Sequence, residues 1–214
     1  MKLDLSPDLA QIYRITHVVN VPWILDHGLH CRTARVRDPN FREIGSPDLI
    51  AKRVRREVPE RPRGTLADYV PFYFTPRTPM QLNITTGYMG TPLTPASEIA
   101  ILVSSIHRLD QWGHAYLITD RHAYLQAARF STDATGLANL DWALLQSGDF
   151  KRSDTDPGRV ERYQAEALVH RHVPVNALVS VAVRDAAAQA KLIAEWKSRG
   201  LSLPLAVRPE WYCR

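Results

Sequence analysis

The stretch "ERYQAEALVHRH", residues 161–172, sets a carboxylate, Glu166, between two alanines and ahead of an apolar step. On a strand, Glu166 and Leu168 share one face, and Ala165, Ala167 and Val169 share the other. Such a glutamate could serve a buried site. As the continuation of a helix begun near Arg159 it would instead face solvent. Further polar groups are scattered along the chain: Thr16 and His17, Arg53, Tyr73 and Arg77. Each also has a plain reading as packing, cap or solvated charge, and the residue types alone leave both open.

Several chemistries are excluded. No G-x-G-x-x-G follows a strand, and there is no G-x-x-x-x-G-K-[ST] phosphate loop. No G-x-S-x-G elbow occurs, and Cys31 in "GLHCRT" has no base beside it. The eight histidines are dispersed. "HRH" at His170 and His172 would set two imidazoles on one strand face, a ligand pair at most. Cys31 and Cys213 lack metal-ligand spacing, so no metal is expected, and a reducing compartment suits them.

The elements that must carry these groups read as a mixture. "IYRITHV" alternates as a first strand. "NVPWILDHGL" reads as a helix with Asn20 as N-cap, Pro22 in its first turn and Gly28 as its stop. "SPDLIAKRVRREV" reads as a second helix capped by Ser46. It lies within residues 32–63, which carry ten Lys and Arg against five Asp and Glu. That charge run is either a solvated face or a surface for phosphates.

"DYVPFYFTPRTPM" reads as a short buried strand leaving into a proline-rich turn. "EIAILVSSI", "AYLITD" and "ALVSVAVR" read as strands, "RHAYLQAARFST" as a short helix, and about 130–160 as a long irregular connection holding a helical turn or two. "DAAAQAKLIAEWKSRG" is the clearest helix, from Asp185 to Gly200, and "LPLAVRPEWYC" closes as a strand. Strands and helices without regular β-α-β repeats indicate an α+β fold.

The 214 residues suit one domain with an ordinary hydrophobic share of 45%. The formal charge of +5 is carried mostly by arginine, whose flat fork suits phosphates and stacked bases. No stretch approaches a bilayer span and no secretory leader is read, so a cytoplasmic protein is expected.

Read together, "IYRITHVVNVPWILDHGLHC", "GTLADYVPFYFTPRTPM", "TDRHAY" and "RYQAEALV" occur in an order and spacing that closely resemble the DarT family. These are the toxins of DarT–DarG toxin–antitoxin systems, and the likeness runs to the closing "EWYC". The resemblance implies an ADP-ribosyltransferase fold of the PARP-like kind over 1–214, with a basic helical insertion at about 32–63. It implies NAD⁺ as donor, thymidine N3 in single-stranded DNA as acceptor within short sequence contexts, and a DarG-like macrodomain antitoxin as partner. Carried over by position, Glu166 is the catalytic glutamate and Arg53 the arginine at the base. His17 stands against the nicotinamide-side ribose, flanked by Thr16 and Asn20, with Arg14 at the cleft edge. Tyr73 and Arg77 line the dinucleotide cleft, and about 125–165 forms the substrate loop.

Overall fold

A computed structural model describes residues 3–213. In chain order the elements begin with β1 (Gln11–His17), α1 (Val21–His27), β2 (Leu29–His30), α2 (Pro47–Arg53), β3 (Tyr69–Tyr73) and α3 (Pro79–Thr86). They continue with β4 (Ile99–Ser105), α4 (Ile106–Gln111), β5 (Tyr116–Thr119), β6 (Phe130–Ser131), α5 (Trp142–Ser147) and α6 (Arg159–Tyr163). The last are β7 (Glu166–His170), β8 (His172–Val173), β9 (Ser180–Val183), α7 (Ala186–Ser198) and β10 (Leu205–Val207). Eight strands make one sheet in the order β10-β9-β4-β1-β3-β7-β5-β6, and β2 pairs separately with β8.

The sheet is nearly two sheets. β1 pairs with β4 along its full length, from Gln11 opposite Ser105 to His17 opposite Ile99. With β3 it pairs only where Tyr13 faces Tyr73. Pro71 explains part of this. It sits in what is formally a central strand, a place proline avoids because it has no N–H to give. Residues on β3 pair with β7 from Tyr69 opposite His170 to Tyr73 opposite Glu166, so the other edge of β3 is the free one. The Pro71 carbonyl on that edge is taken by the Arg14 guanidinium at 3.0 Å instead of by β1. The two halves therefore splay apart beside β3, and a cleft opens.

Alternation assigns the faces of β7 as its sequence implies. Ala165, Ala167 and Val169 join the main core. Leu168 joins a smaller cluster with Leu66, Tyr69, Leu117 and Ala123 on the face that Glu166 shares. The strand reading of Glu166 holds, since α6 ends at Tyr163, three residues earlier.

Four local expectations change. α2 is capped by the Ser46 hydroxyl but ends at Arg53, so Arg55 and Arg56 lie in a turn beyond it. "RHAYLQAARFST" is no helix: His122 Nδ1 accepts from the Tyr124 N–H and Asp120 accepts from the Arg129 N–H, so side chains satisfy backbone donors that a helix would use. Residues 130–160 are less irregular than expected: β6, a 3-10 turn and α5 fill most of 130–147, and 148–158 has no helix or strand. Asp133 and Asp141 cap a 3-10 turn at Ala134–Asn139 and α5, and Gly148, at φ +67°, stops α5. "HRH" does not present one face, because Arg171 takes φ +67° and breaks the strand between its histidines. His170 packs on Tyr69 and His172 on His30.

Candidate active site at the split in the sheet

Glu166 begins β7 and is 1% exposed. Arg53, 113 residues earlier, reaches it from the end of α2. Its Nη1 lies 2.9 Å from Oε2 and 3.2 Å from Oε1. The Ala123 N–H donates to Oε1 at 3.0 Å. The Glu166 N–H donates to the Thr119 hydroxyl at 3.1 Å, and that hydroxyl donates onward to the Arg121 carbonyl at 2.7 Å. The carboxylate is thus held by a cation and a backbone donor, while Thr119 fixes the backbone beneath it. A buried pair of this kind adds little net stability, but removing one member leaves a charge stranded.

A cavity of about 430 Å³ opens beside this pair, within the range of small-molecule sites. Arg14, Ile15 and Thr16 of β1 form one wall, and Pro71 and Tyr73 of β3 form the other, where the halves diverge. Residues 36–46 close the outside as a strap, with Val36 and Phe41 half-exposed along it. Asn20 ties that strap down: its Oδ1 accepts from the Arg42 N–H at 2.8 Å and its Nδ2 donates to the Arg42 carbonyl at 2.9 Å. The same Nδ2 lies 3.1 Å from the Thr16 hydroxyl, joining the strap to β1.

Two buried donors stand at this cavity without partners among the described residues: Arg14 Nε and Arg53 Nη2. Burial pushes the Arg14 guanidinium down to about 10, and the neighbouring Arg53 cation adds to that push. It remains a cation at neutral pH. Tyr73 is pushed up, first by burial and then by the Glu166 charge, so its phenol stays neutral. An anionic ligand with acceptor oxygens and a flat ring therefore fits this cavity. Among the described residues no group of three or more His, Cys, Asp or Glu could hold a metal ion.

The residues singled out in the sequence divide into two sets. Glu166, Arg53, Arg14, Thr16 and Tyr73 all line the cavity. His17, Asn20 and Arg77 do not line it. His17 is 1% exposed, and both ring nitrogens are engaged. Nδ1 accepts from the Val19 N–H, so the proton sits on Nε2 and is donated to Glu98 at 3.1 Å. Burial lowers its pKa despite that carboxylate. Arg77 lies against the end of α5, where a Cβ on Gly148 would come within 2.8 Å of its Nη2.

Three positions escape sequence reasoning: Thr119, Ala123 and His122. All belong to "LITDRHAY", part of which carries the family resemblance, but nothing local marks a backbone N–H as a carboxylate's partner. His122 Nδ1 stands 3.6 Å from Glu166 Oε1, too far for a hydrogen bond, and already accepts from Tyr124. Burial lowers its pKa against the pull of Glu166. His122 is therefore neutral, with its proton on Nε2.

Comparison with solved structures gives the class. The chain superposes on Thermus sp. 2.9 DarT in complex with ADP-ribosylated single-stranded DNA with a TM-score of 0.90, at 32% identity over 100% of both chains. Against the same protein in complex with NAD⁺ the TM-score is 0.85 at 31% identity, over 97% of this chain and 99% of that one. A split mixed sheet with a buried glutamate at the cleft is here the fold of an ADP-ribosyltransferase.

The sequence profile of the family described as ssDNA thymidine ADP-ribosyltransferase, DarT, matches residues 13–213. A DNA ADP-ribosyl transferase of Escherichia coli O127:H6 is 41% identical over 209 residues, 98% of this chain and 96% of that protein. The chain belongs to the DarT family.

Proposed function

We propose that this chain transfers ADP-ribose from NAD⁺ to N3 of thymidine in single-stranded DNA, with Glu166 and Arg53 as its catalytic residues. The observation that carries this is the seam itself: one arginine nitrogen holds the carboxylate while the other, Nη2, is buried and unpartnered. NAD⁺ supplies the ADP-ribosyl unit and a nicotinamide leaving group. Its fit rests on the cavity's size and on the unpartnered Arg14 Nε, which suits a pyrophosphate oxygen. Tyr73 offers a ring for stacking. His17, Asn20 and Arg77 serve from outside the lining, holding the turn after β1, the strap and the end of α5.

The Glu166 carboxylate stabilises the positive charge that develops at ribose C1′ as the bond to nicotinamide breaks. Arg53 Nη2 donates to a thymine carbonyl and favours the N3 anion. A guanidinium cannot itself be the base. With His122 Nδ1 occupied, the N3 proton passes to Glu166 as the C1′–N3 bond forms. N3 is paired in a duplex, so the acceptor is an unpaired strand. The whole chain acts as one domain, with residues 32–63 supplying the strap and Arg53, and about 125–165 bordering the acceptor.

An enzyme that marks DNA works in the cytoplasm and needs restraint, which fits a toxin paired with a DarG-like macrodomain antitoxin. Among the described residues no helix is long and apolar enough to cross a membrane. The test is to incubate the chain with NAD⁺ and single-stranded oligonucleotides containing or lacking thymidine, and to weigh the DNA. One added ADP-ribose only where thymidine is present is expected. Modification of thymidine-free strands, or of protein alone, would overturn this acceptor.

A further inference from the structure

A second cavity, an open surface groove, is lined by Lys52, Arg55, Arg56 and Glu57 on one side and Tyr124, Leu125 and Gln126 on the other. Its walls continue the two segments that clamp the catalytic carboxylate. Arg53 lies within the first wall segment, between Lys52 and Arg55, and binds Glu166, and Ala123 precedes the second and donates to Glu166. The ion pair therefore lies at the boundary between the two cavities. A strand whose thymidine reaches Arg53 can lay an adjoining nucleotide at this second cavity.

The lining suits a nucleotide. Lys52 and Arg55 are exposed. Arg55 makes no side-chain hydrogen bond or ion pair among the described residues, and Lys52 holds only the surface carboxylate of Asp48, at 2.6 Å. Such an exposed pair is worth little and exchanges readily for phosphate. Glu57 is the one acid facing three cations. The half-buried Tyr124 ring offers a stacking platform of the kind single strands use.

Arg56 then fixes what the subsite reads. Its Nη2 donates to the Leu125 carbonyl at 3.1 Å and its Nη1 to Gln126 Oε1 at 3.3 Å. A guanidinium can only donate, so the Gln126 amide oxygen must face it, and the Nε2 hydrogens are left pointing away. With the exposed Glu57 as the one acid in the lining, Gln126 therefore presents donors to the cavity, joined by Lys52 and Arg55. A base edge offering acceptors, such as O6 and N7 of guanine or O4 of thymine, satisfies them. The amino groups of adenine and cytosine oppose them.

We propose that this cavity is the subsite for a nucleotide flanking the target thymidine, and that it selects a keto base over an amino base there. The proposal rests on the acceptor reading above and assigns part of its sequence context to Tyr124, Gln126 and Arg56.

The test uses the full chain, NAD⁺ and oligonucleotides with one thymidine in randomised flanks, followed by sequencing of the modified pool and binding measurements on the same pool. Guanine or thymine should be enriched at one flanking position. Gln126→Glu replaces donors by acceptors and should move that preference towards adenine and cytosine. Tyr124→Ala should weaken oligonucleotide binding about ten-fold, with NAD⁺ affinity as the control. Arg55→Glu, at an exposed site that folding does not need, should also weaken strand binding. A Gln126→Glu profile identical to wild type, in transfer and in binding, overturns the subsite. If the wild-type chain binds these strands without modifying thymidine, the acceptor reading fails, while the keto preference in binding still decides the subsite.

Discussion

The two cavities near the Arg53–Glu166 pair are built differently. The one between β1 and β3 is walled by a splayed sheet and a pinned strap; Arg14, Thr16, Tyr73 and the seam are its inner polar groups, and Arg37, Asp38, Arg42 and Glu43 line it from the strap. The one beyond α2 is walled by turns rich in exposed cations. The first can select its ligand by shape and by the buried donors at its inner end, and the second by surface charge and stacking. Arg53 and Glu166 divide them, so two chemically unlike substrates can be held separately and still touch at one carboxylate.

Changes at the seam should break this division most severely. Glu166→Gln removes the charge that favours C1′ while keeping the side chain's size. Transfer to DNA should fall by several orders of magnitude while NAD⁺ affinity is largely kept, as titration calorimetry beside a transfer assay would show. Loss of NAD⁺ binding together with the fold would make Glu166 a structural residue instead.

Arg53→Lys keeps a cation but not the fork. One ammonium cannot hold both carboxylate oxygens and also offer a second, separately directed donor. Transfer should drop at least about 100-fold, the scale seen when a single transition-state donor is lost, with a smaller change in NAD⁺ affinity. Retention of a near-wild-type rate would refute the two-handed role.

Thr119→Val should sharpen the comparison with the smallest effect. It strands the Glu166 N–H in a buried site, at a cost of about 1–3 kcal/mol. A lower Tm and a modest fall in transfer rate are expected, with both ligands bound as before. An unchanged Tm would show that Thr119 does not hold the strand end.

Much of this plan is legible in the sequence where a local pattern has one structural answer. Ser46 and Asp185 announce their helices, and their hydroxyl and carboxylate do cap α2 and α7. The residues around Glu166 leave strand and helix both open, and the family resemblance decides for the strand that β7 shows. What stays hidden depends on register or on backbone groups. Ala123 and Thr119 meet Glu166 across 43 and 47 residues, through an N–H and a hydroxyl that carry no pattern. Pro71 falls in what reads as a short buried strand, and only the parting of β1 from β3 gives it an edge inside the sheet. His17 is visible as a histidine on a strand, but its sequence does not tell that Val19 and Glu98 occupy both nitrogens. Residues 130–160 look irregular because their elements are one or two turns long. They are held by pairs such as Arg162 with Asp141 and Asp156, which have no period.

The contrast between a shape-selecting donor cavity and a charge-selecting acceptor cavity is tested most directly by measuring both dissociation constants across a salt series. For a thymidine-containing single strand, log affinity should fall linearly with log salt, by about 0.7 for each phosphate neutralised. For NAD⁺, held by buried groups that salt screens poorly, the slope should be much shallower. Equal slopes for the two ligands, or strand binding indifferent to salt, would contradict the division at Glu166.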